Sequence, residues 1–481
     1  MKLTATLSAL LSVAAVSASH NARDHQKRQA SPSPPPPPST TNPGGQAPTG
    51  ALDPTESIAL SQLTSGMPER EALTATTSYE AGATAPVSGA PALPTPFVFT
   101  PGVWPAQDVV PPTDSDEVKE WMKELEGFDI PDLSVTVEDA MCDSNPEAKA
   151  AAEERGWWTC APGLTRDTDI INCPDKMTWG VSFDDGPSPY SRTVLKYLDE
   201  QDIKATFFVV GSRVIESPDI LVEEYMAGHE ISIHTWSHRH LTTLTTEEIV
   251  AELGWTRKAI QTVLGVTPTT MRPPYGDIDD RVRNIALAMG LIPIIWTRTP
   301  SGAQMDTEDW KVAGGLVTGS QSVDSFNAIL GNASIMDTGF IVLQHDLYQV
   351  TVDLAVHFTL NSALSHDPPF TLKPIGECAG VPASDLYRES NTNSSFPIVE
   401  GEDTDVDGDG TPDTPGAGNE NGGNGNGNGN GNGNGNDNGN NGGTGNGESD
   451  SPDAEGAASV ASSRFGVVCL AAATLLGSLL V

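Results

Sequence analysis

The sequence is poor in basic residues for its length. Lys and Arg together number 26, whereas Asp and Glu number 64, which gives a formal net charge of -38. A chain with this balance lacks the positive surface that nucleic-acid binding requires. The charge suits an extracellular surface or attraction to a cationic polymer. We therefore expect no nucleic-acid partner.

Cysteine is also scarce, and no two cysteines form a CxxC pair, which argues against a cysteine-ligated zinc module. Of the five cysteines, Cys469 falls in a C-terminal apolar tail. Cys142, Cys160, Cys173 and Cys378 remain, and in an oxidising compartment they predict two disulfides with three possible connectivities. Whichever partner Cys378 takes, its disulfide closes a long loop.

Large apolar residues are sparse at both flanks of the chain. Residues 19–114 are rich in Pro, Ser and Thr, and residues 381–456 are acidic and then dominated by Asn and Gly. Such segments bury too little apolar surface to offset the entropy of ordering the backbone. We expect a disordered stalk at 19–114 and a disordered linker at 381–456. One large domain at 173–380 is left, with residues 115–172 as an N-terminal extension packing on it.

Both termini resemble processing signals. Residues 1–18 combine one Lys, a short apolar run and a small-residue exit, as signal peptides do. Lys27-Arg28 is a candidate dibasic cleavage site. Residues 457–481 match a glycosylphosphatidylinositol (GPI) propeptide that is removed, with Gly456 as the expected attachment residue; a retained tail-anchor helix is the alternative. Glycosylation sequons begin at Asn332 and Asn393.

The large domain alternates short apolar runs with helical patterns. Strands are expected at 177–183, 205–210, 230–234 and 340–345, and a long helix at 245–264 begins at a capping Thr245 and ends before Gly265. Repeated strand–helix units predict an α/β fold with a parallel sheet, in the form of an irregular (β/α) barrel. Polar residues recur just after the strands, so they should share the carboxyl-end mouth of the barrel.

Two motifs at this mouth carry metal-binding groups. Asp184-Asp185 precedes Gly186-Pro187, so one carboxylate could bind a metal while the other faces a substrate. His234 and His238 are four residues apart, which would place both imidazoles on one side of a helical turn. His240 is a third candidate ligand with less suitable spacing. No Glu follows His234, so the motif is not that of a zinc metalloprotease.

Three further motifs supply other groups. Arg272, ahead of two prolines, could hold a carboxylate bidentately, and the backbone N–H of Tyr275 could face an oxyanion. Asp309 could partner Arg272, and Trp310 offers an apolar wall for a sugar ring. His345 closes an apolar strand and is either a second proton carrier or a satisfied core histidine.

The five motifs together resemble one family. Ser-Phe-Asp-Asp-Gly-Pro, His-x-x-Ser-His, Arg-Pro-Pro-Tyr-Gly, Asp-x-x-Asp-Trp and Leu-x-His occur in the order found in NodB-type polysaccharide deacetylases of carbohydrate esterase family 4, over about residues 173–378. Ser182 stands where the family more often has Thr, and the hydroxyl is kept. The secreted, stalked and lipid-anchored layout resembles that of fungal cell-wall chitin deacetylases.

This resemblance implies an irregular barrel of the NodB type and a role for each matched residue. Asp185, His234 and His238 would hold Zn²⁺, with Co²⁺ as a possible substitute. Asp184 would be the general base and His345 the general acid. Arg272 would orient the base, and Asp309 would tune Arg272 and His345. The expected substrate contacts are Tyr275, Trp310 and Leu343.

The implied activity is metal-dependent removal of N-acetyl groups from chitin, giving chitosan and acetate in the fungal cell wall. The expected partners are chitin or partly acetylated chitosan, with cell-wall glucan and, through the anchor, the plasma membrane; the protein is expected to be a monomer on the outer face of that membrane. Three alternatives stay open. They are a deacetylase of acetylxylan or peptidoglycan, a non-catalytic sugar-binding wall mannoprotein, and an iron oxygenase that uses the same two-His-one-carboxylate ligands.

Overall fold

The computed structural model describes residues 58–397, apart from residues 76, 138 and 162. The predicted signal peptide, the Lys27-Arg28 site, Gly456, the GPI propeptide and most of the Asn/Gly-rich linker lie outside the described residues. Within the described part, no helix combines the length and the apolar composition needed to cross a membrane.

The described strands form one parallel sheet. They are β1 (Thr178–Asp184), β2 (Thr206–Val209), β3 (Glu230–Ile233), β4 (Thr270–Met271), β5 (Ile292–Pro293), β6 (Phe340–Ile341) and β7 (Thr371–Pro374). Their order is β5-β4-β3-β2-β1-β6, and β7 also pairs with β1. All seven residues of β1 are buried, as expected for a central parallel strand covered on both faces.

Helices connect and cover the strands. The α-helices are α1 (Asp116–Trp121), α2 (Pro146–Ala150), α3 (Ser191–Glu200), α4 (Gly211–Glu216), α5 (Pro218–Met226), α6 (Thr246–Leu264), α7 (Asp280–Ala288), α8 (Asp309–Ala313), α9 (Gly319–Ala333), α10 (Gln349–Leu354), α11 (Leu360–Leu364) and α12 (Ile375–Cys378). A π-helical turn, Ala355–Thr359, joins α10 to α11. The 3₁₀ turns are Leu60–Gln62, Met122–Leu125, Leu241–Thr243, Pro274–Gly276 and Ala383–Leu386.

The long helix α6 has the ends that the sequence predicts. The Thr245 hydroxyl accepts a hydrogen bond from the Glu248 amide, and the Glu248 side chain accepts one from the Thr245 amide, so the two form a capping box. At the other end Gly265 adopts φ 79°, the left-handed conformation in which a side chain would be strained.

The sheet curls into an incomplete barrel, as predicted. Between β5 and β6 there is no regular ladder; single hydrogen bonds join the edges instead. The Thr297 amide donates to the Ile341 carbonyl at 3.0 Å, and the Leu343 amide donates to the Met305 carbonyl at 2.9 Å. This irregular closure brings the chain after β5 close to β6, and the pairing of β6 with β1 continues in a bridge between His345 and Asp184.

The predicted disordered stalk is wrong for residues 58–114. Leu63 is fully buried against Val312, Val350 and Leu354, and the Trp104 ring stacks on Trp236 with ring centroids 6.3 Å apart. A segment of low mean apolar content can be ordered when its few large apolar residues dock on a surface that is already folded.

The ordered part also extends beyond residue 380, into the segment predicted as a linker. Leu386 and Tyr387 are buried, and the Tyr387 hydroxyl accepts a hydrogen bond from the Ile231 amide on β3 at 2.9 Å. Chain that pairs with a central strand in this way belongs to the packed domain.

Two disulfides settle the cysteine connectivity. Cys142 pairs with Cys160, and Cys173 pairs with Cys378 across a sequence separation of 205. The second disulfide lies against β1, because a Cβ at Gly180 would come within 3.0 Å of the Cys378 sulfur and 3.1 Å of the Cys173 sulfur. Residues 115–172 pack on the barrel through Trp157, which is fully buried and donates its indole N–H to Asp277 at 2.9 Å.

Candidate active site

The predicted site residues converge at one end of the sheet. Asp184 ends β1, and others follow β1 (Asp185), β3 (His234, His238), β4 (Arg272, Tyr275) and β6 (Leu343, His345). Two more begin α8 (Asp309, Trp310). Parallel strands place their carboxyl ends at a common edge, so distant segments supply one site.

Three of these residues form a cluster suited to a metal ion. One oxygen of Asp185, Oδ1, lies 3.3 Å from His234 Nε2 and 3.0 Å from His238 Nε2. The ligand atoms of all three residues lie within 4.8 Å of one another. Asp185 Oδ1 is buried and has no hydrogen-bond partner. A buried carboxylate oxygen that faces two imidazole nitrogens fits a divalent cation with nitrogen and oxygen ligands.

Both histidines present Nε2 to this cluster because their other ring nitrogen is engaged. His234 Nδ1 lies 2.8 Å from the Arg272 carbonyl oxygen, so it is the protonated nitrogen and donates. His238 Nδ1 lies 3.2 Å from the Tyr275 hydroxyl. Burial opposes the charged form of Asp185, yet the neighbouring histidines hold its pKa well below the ordinary value.

The expectation of a helical turn from His234 to His238 is wrong. The segment is an irregular loop in which Thr235 has φ 63° and His238 has φ 55°. The left-handed residues turn the second imidazole back toward the first, so the four-residue spacing works without a helix. Asp185 is itself at φ 81°, a conformation that costs energy for a residue with a Cβ.

His240 does not join the cluster. Its ring stacks on Tyr275 with centroids 3.8 Å apart, and its Nδ1 lies 3.9 Å from Asp277 Oδ2. Burial lowers the pKa of His240 to about 4. We therefore regard His240 as a packing partner of Tyr275 and not as a metal ligand.

A buried ion pair lies beside the cluster. Arg272 Nη1 donates to Asp184 Oδ1 at 2.6 Å and to the Ser182 hydroxyl at 3.0 Å. The Arg272 side chain is fully buried, and Asp184 is 1% exposed. The predicted bidentate contact is not formed: Arg272 Nη2 and Nε have no hydrogen-bond partner, and the guanidinium lies 3.9 Å above the Phe208 ring. The second Asp184 oxygen, Oδ2, stays available, 4.0 Å from His234 Nε2.

A second pair links His345 to Asp309. Asp309 Oδ1 lies 2.7 Å from His345 Nδ1, and Asp309 Oδ2 accepts from the His345 amide at 2.9 Å. Burial opposes the imidazolium, but the charge and hydrogen bond of Asp309, with the charges of Asp185 and Asp184, outweigh burial and raise the pKa of His345 to about 10. The raised pKa favours the protonated form of His345, as expected for a proton carrier and not for a neutral core histidine.

The predicted contact between Asp309 and Arg272 is wrong for the described structure. Both Asp309 oxygens are used by the His345 backbone and ring, and Oδ1 also accepts from the Trp310 amide at 2.7 Å. Asp309 is therefore paired with His345, and Arg272 is paired with Asp184.

The rim of the site is aromatic. Tyr275, Trp310 and Tyr348 are 50%, 42% and 40% exposed, whereas Leu343 is buried at 7%. Exposed flat rings beside a polar centre suit a sugar, which presents apolar C–H faces.

Of the sequon residues, Asn332 is partly exposed, and the exposed Asn393 donates a hydrogen bond from its side-chain amide to Asp385 at 3.0 Å.

Sequence reasoning missed residues that support the two loops carrying the candidate metal ligands. Glu252 on α6 is fully buried and accepts from the Trp236 and Ser237 amides at 2.7 and 2.8 Å. Burial raises the pKa of Glu252 to about 7. A Glu on the apolar face of a helix, between Ile249 and Leu253, was the available signal. Arg213, which donates to the Asp185 carbonyl at 2.6 Å, gives no comparable signal.

Comparison with known proteins identifies the family of this chain. Residues 171–294 match the family profile described as "Polysaccharide deacetylase". The chain is 52% identical over 341 residues to Chitin deacetylase 1 of Cryptococcus neoformans. The aligned region covers 70% of this chain and 71% of that protein. This chain belongs to the polysaccharide deacetylase family.

Other similar proteins include enzymes named for different substrates. Chitin deacetylase of Amylomyces rouxii is 36% identical over 54% of this chain and 63% of its own length. Peptidoglycan-N-acetylglucosamine deacetylase PgdA of Listeria monocytogenes is 38% identical over 40% of this chain and 37% of its own. A solved chitin deacetylase of Colletotrichum lindemuthianum matches 47% of this chain and 98% of its own, with 24% identity and a TM-score of 0.41.

Proposed function

We propose that this polysaccharide deacetylase hydrolyses the N-acetyl groups of chitin, releasing acetate and leaving glucosamine units. The observation that carries the proposal is the unpartnered Asp185 Oδ1 between two histidine Nε2 atoms, flanked by the Asp184–Arg272 and His345–Asp309 pairs. The similarity to Chitin deacetylase 1 supports chitin as the substrate.

Asp185, His234 and His238 would hold the ion, which we propose to be Zn²⁺. Two imidazoles and one carboxylate are a common catalytic zinc set with open coordination positions. A zinc ion bound there would supply Lewis-acid polarisation of the acetamide carbonyl and of a water molecule.

Asp184 is the proposed general base. It lies beside the ligands, and Arg272 fixes only one of its oxygens, so Oδ2 can take a proton from the attacking water. The buried guanidinium orients the carboxylate through its hydrogen bond to Oδ1. As oxygen attacks the carbonyl carbon, negative charge develops on the acyl oxygen, and we propose that the Tyr275 N–H donates to it.

His345 is the proposed general acid. The amine leaves only when its nitrogen is protonated, and the His345 Nε2–H is free to donate because Asp309 engages Nδ1. The raised pKa keeps His345 protonated at neutral pH, and Asp309 stabilises the imidazolium before transfer. Trp310 would stack on the sugar ring, and Leu343 would contact the acetyl methyl group.

A substrate panel tests this proposal. Secreted protein is incubated with chitin oligomers, partly acetylated chitosan, acetylxylan and peptidoglycan, and both acetate and new free amines are counted. We expect equal amounts of acetate and amine from the chitin substrates, and much slower release from the others. Acetate from acetylxylan alone, with no new amines, would make the protein an ester hydrolase and overturn the proposal.

We also propose that the protein is secreted and held at the cell surface by a GPI anchor on Gly456. The support is the sequence pattern of the two termini. Phosphatidylinositol-specific phospholipase C should release the protein from intact cells, and replacing Gly456 with a bulky residue should divert it to the medium. Retention after lipase treatment would instead indicate a tail-anchor helix or wall cross-linking.

A further inference from the structure

The two loops that carry the metal-binding residues are also contacted from outside the five motifs. One loop follows β1 and holds Asp185 in its left-handed conformation at φ 81°. The other runs from His234 to His238 after β3. A strained ligand residue keeps its position only when surrounding contacts determine it.

Arg213 on α4 supplies such a contact to the first loop. Its Nη1 donates to the Asp185 carbonyl oxygen at 2.6 Å, so a charged group holds the backbone of the ligand residue itself. Its Nη2 lies 3.8 Å from Asp108 Oδ1. The side chain is 16% exposed, so solvent screens these contacts only in part.

Asp108 belongs to the N-terminal segment that composition predicts as disordered stalk. The same segment reaches the second loop: the Trp236 indole N–H donates to the Ala106 carbonyl at 2.9 Å, and Trp104 stacks on Trp236 with an interplanar angle of 5°. Trp236 lies midway between His234 and His238. Residues 104–108 therefore contact one metal-bearing loop directly and the other through Arg213.

We propose that Arg213 and residues 104–108 are a positioning device for the metal site, so that the N-terminal segment sets metal affinity. The proposal rests on the proposed function only in requiring that Asp185, His234 and His238 bind a metal. Hydrogen-bond partners that orient metal ligands commonly contribute 10–100-fold to affinity. The hydrogen bond of Arg213 reaches the carbonyl of Asp185 and not a ligand atom, so it acts through the placement of Asp185. The positive charge of Arg213 opposes a bound cation, so a fall in zinc affinity on its removal reports the positioning role.

The test measures zinc affinity apart from catalysis. Full-length protein stripped of metal is titrated with Zn²⁺ against a chromophoric chelator. For Arg213→Met we expect zinc affinity to fall about 10–100-fold. Arg213→Lys should lose less affinity, because the ammonium can still donate a hydrogen bond. Asp108→Asn should also lose less affinity than Arg213→Met.

Arg192→Met is the matched control. Arg192 is 14% exposed and paired with Asp219 and Glu223, but it touches neither metal-bearing loop. It should lower the thermal midpoint without changing zinc affinity. Equal zinc affinity of wild type, Arg213→Met and Arg192→Met would overturn the proposal. Absence of zinc binding in wild type would instead refute the metal site itself. If Arg213→Met does not fold, the zinc affinities of Arg213→Lys and Asp108→Asn decide the question.

Discussion

The Asp309→Asn variant tests the charge that raises the pKa of the proposed acid, His345. The substitution keeps the side-chain shape but removes the negative charge 2.7 Å from His345 Nδ1. A hydrogen bond to a charged partner contributes about 1.5–3 kcal/mol, and 1.36 kcal/mol corresponds to one pKa unit. The pKa of His345, raised to about 10 in the wild type, should therefore fall by roughly 1–2 units.

The sign of the activity change follows from the role of His345. The residue must carry a proton to assist the leaving amine, so kcat/KM should fall as pH rises above its pKa. In Asp309→Asn this alkaline limb should move to lower pH by roughly 1–2 units. The assay is acetate release from soluble chitin oligomers at subsaturating substrate between pH 5 and 11.

Asp306→Asn is the matched control for that assay. Asp306 is a neighbouring carboxylate that accepts from the Glu308 amide and forms no hydrogen bond with His345. Its alkaline limb should move by a small fraction of the Asp309→Asn shift. An Asp309→Asn profile with the wild-type alkaline limb would refute the assignment of His345 as the acid controlled by Asp309.

Stability gives an independent readout of the same pair. A histidine whose folded pKa is raised contributes stability that is fully present below its unfolded pKa, about 6.5, and is lost as pH rises through about 10. The free energy of unfolding should thus decline over this window in the wild type, and decline less in Asp309→Asn. Denaturant unfolding at several pH values measures both slopes.

Three further changes test the base and the framework. Asp184→Asn should keep zinc content and lower kcat by roughly 10²–10⁴-fold; loss of zinc would make Asp184 a ligand. Arg272→Met should lower the free energy of unfolding by about 3–5 kcal/mol, because it leaves the Asp184 carboxylate buried and unpaired. Adding Asp184→Asn to the same chain should recover part of that loss, as measured by denaturant unfolding. Cys378→Ser opens a loop of 205 residues, which lowers the free energy of unfolding by about 5 kcal/mol in the chain-entropy account. Cys160→Ser, with a sequence separation of 18, should lower it by about 3 kcal/mol. Equal thermal shifts would contradict this ranking.

Local patterns in the sequence predict the regular parts of this fold well. The capping box at Thr245 and Glu248 and the left-handed Gly265 set the ends of α6, and apolar runs locate β1, β2 and β3. These features depend on residues that are close in the chain, so their chemistry can be deduced without a structure.

Features that depend on distant chain segments could not be predicted in the same way. The disulfide partners of Cys173 and Cys142 follow from the fold and not from spacing. The His234–His238 spacing suggested a helix, but left-handed residues set by tertiary contacts produce the same approach. Composition predicted disorder at 58–114 because it averages over the few residues, such as Leu63 and Trp104, that dock on the domain.

The central claim is that Asp185, His234 and His238 hold a metal that the deacetylation requires. The most direct measurement is acetate release from chitin oligomers by one preparation before metal removal, after chelation, and after one equivalent of Zn²⁺ is restored, with Asp185→Ala treated in parallel. The account predicts that activity is lost on chelation and restored by zinc in the wild type, and that Asp185→Ala neither binds zinc nor releases acetate. Full activity of the metal-free wild type, or near-normal activity of Asp185→Ala, would contradict it.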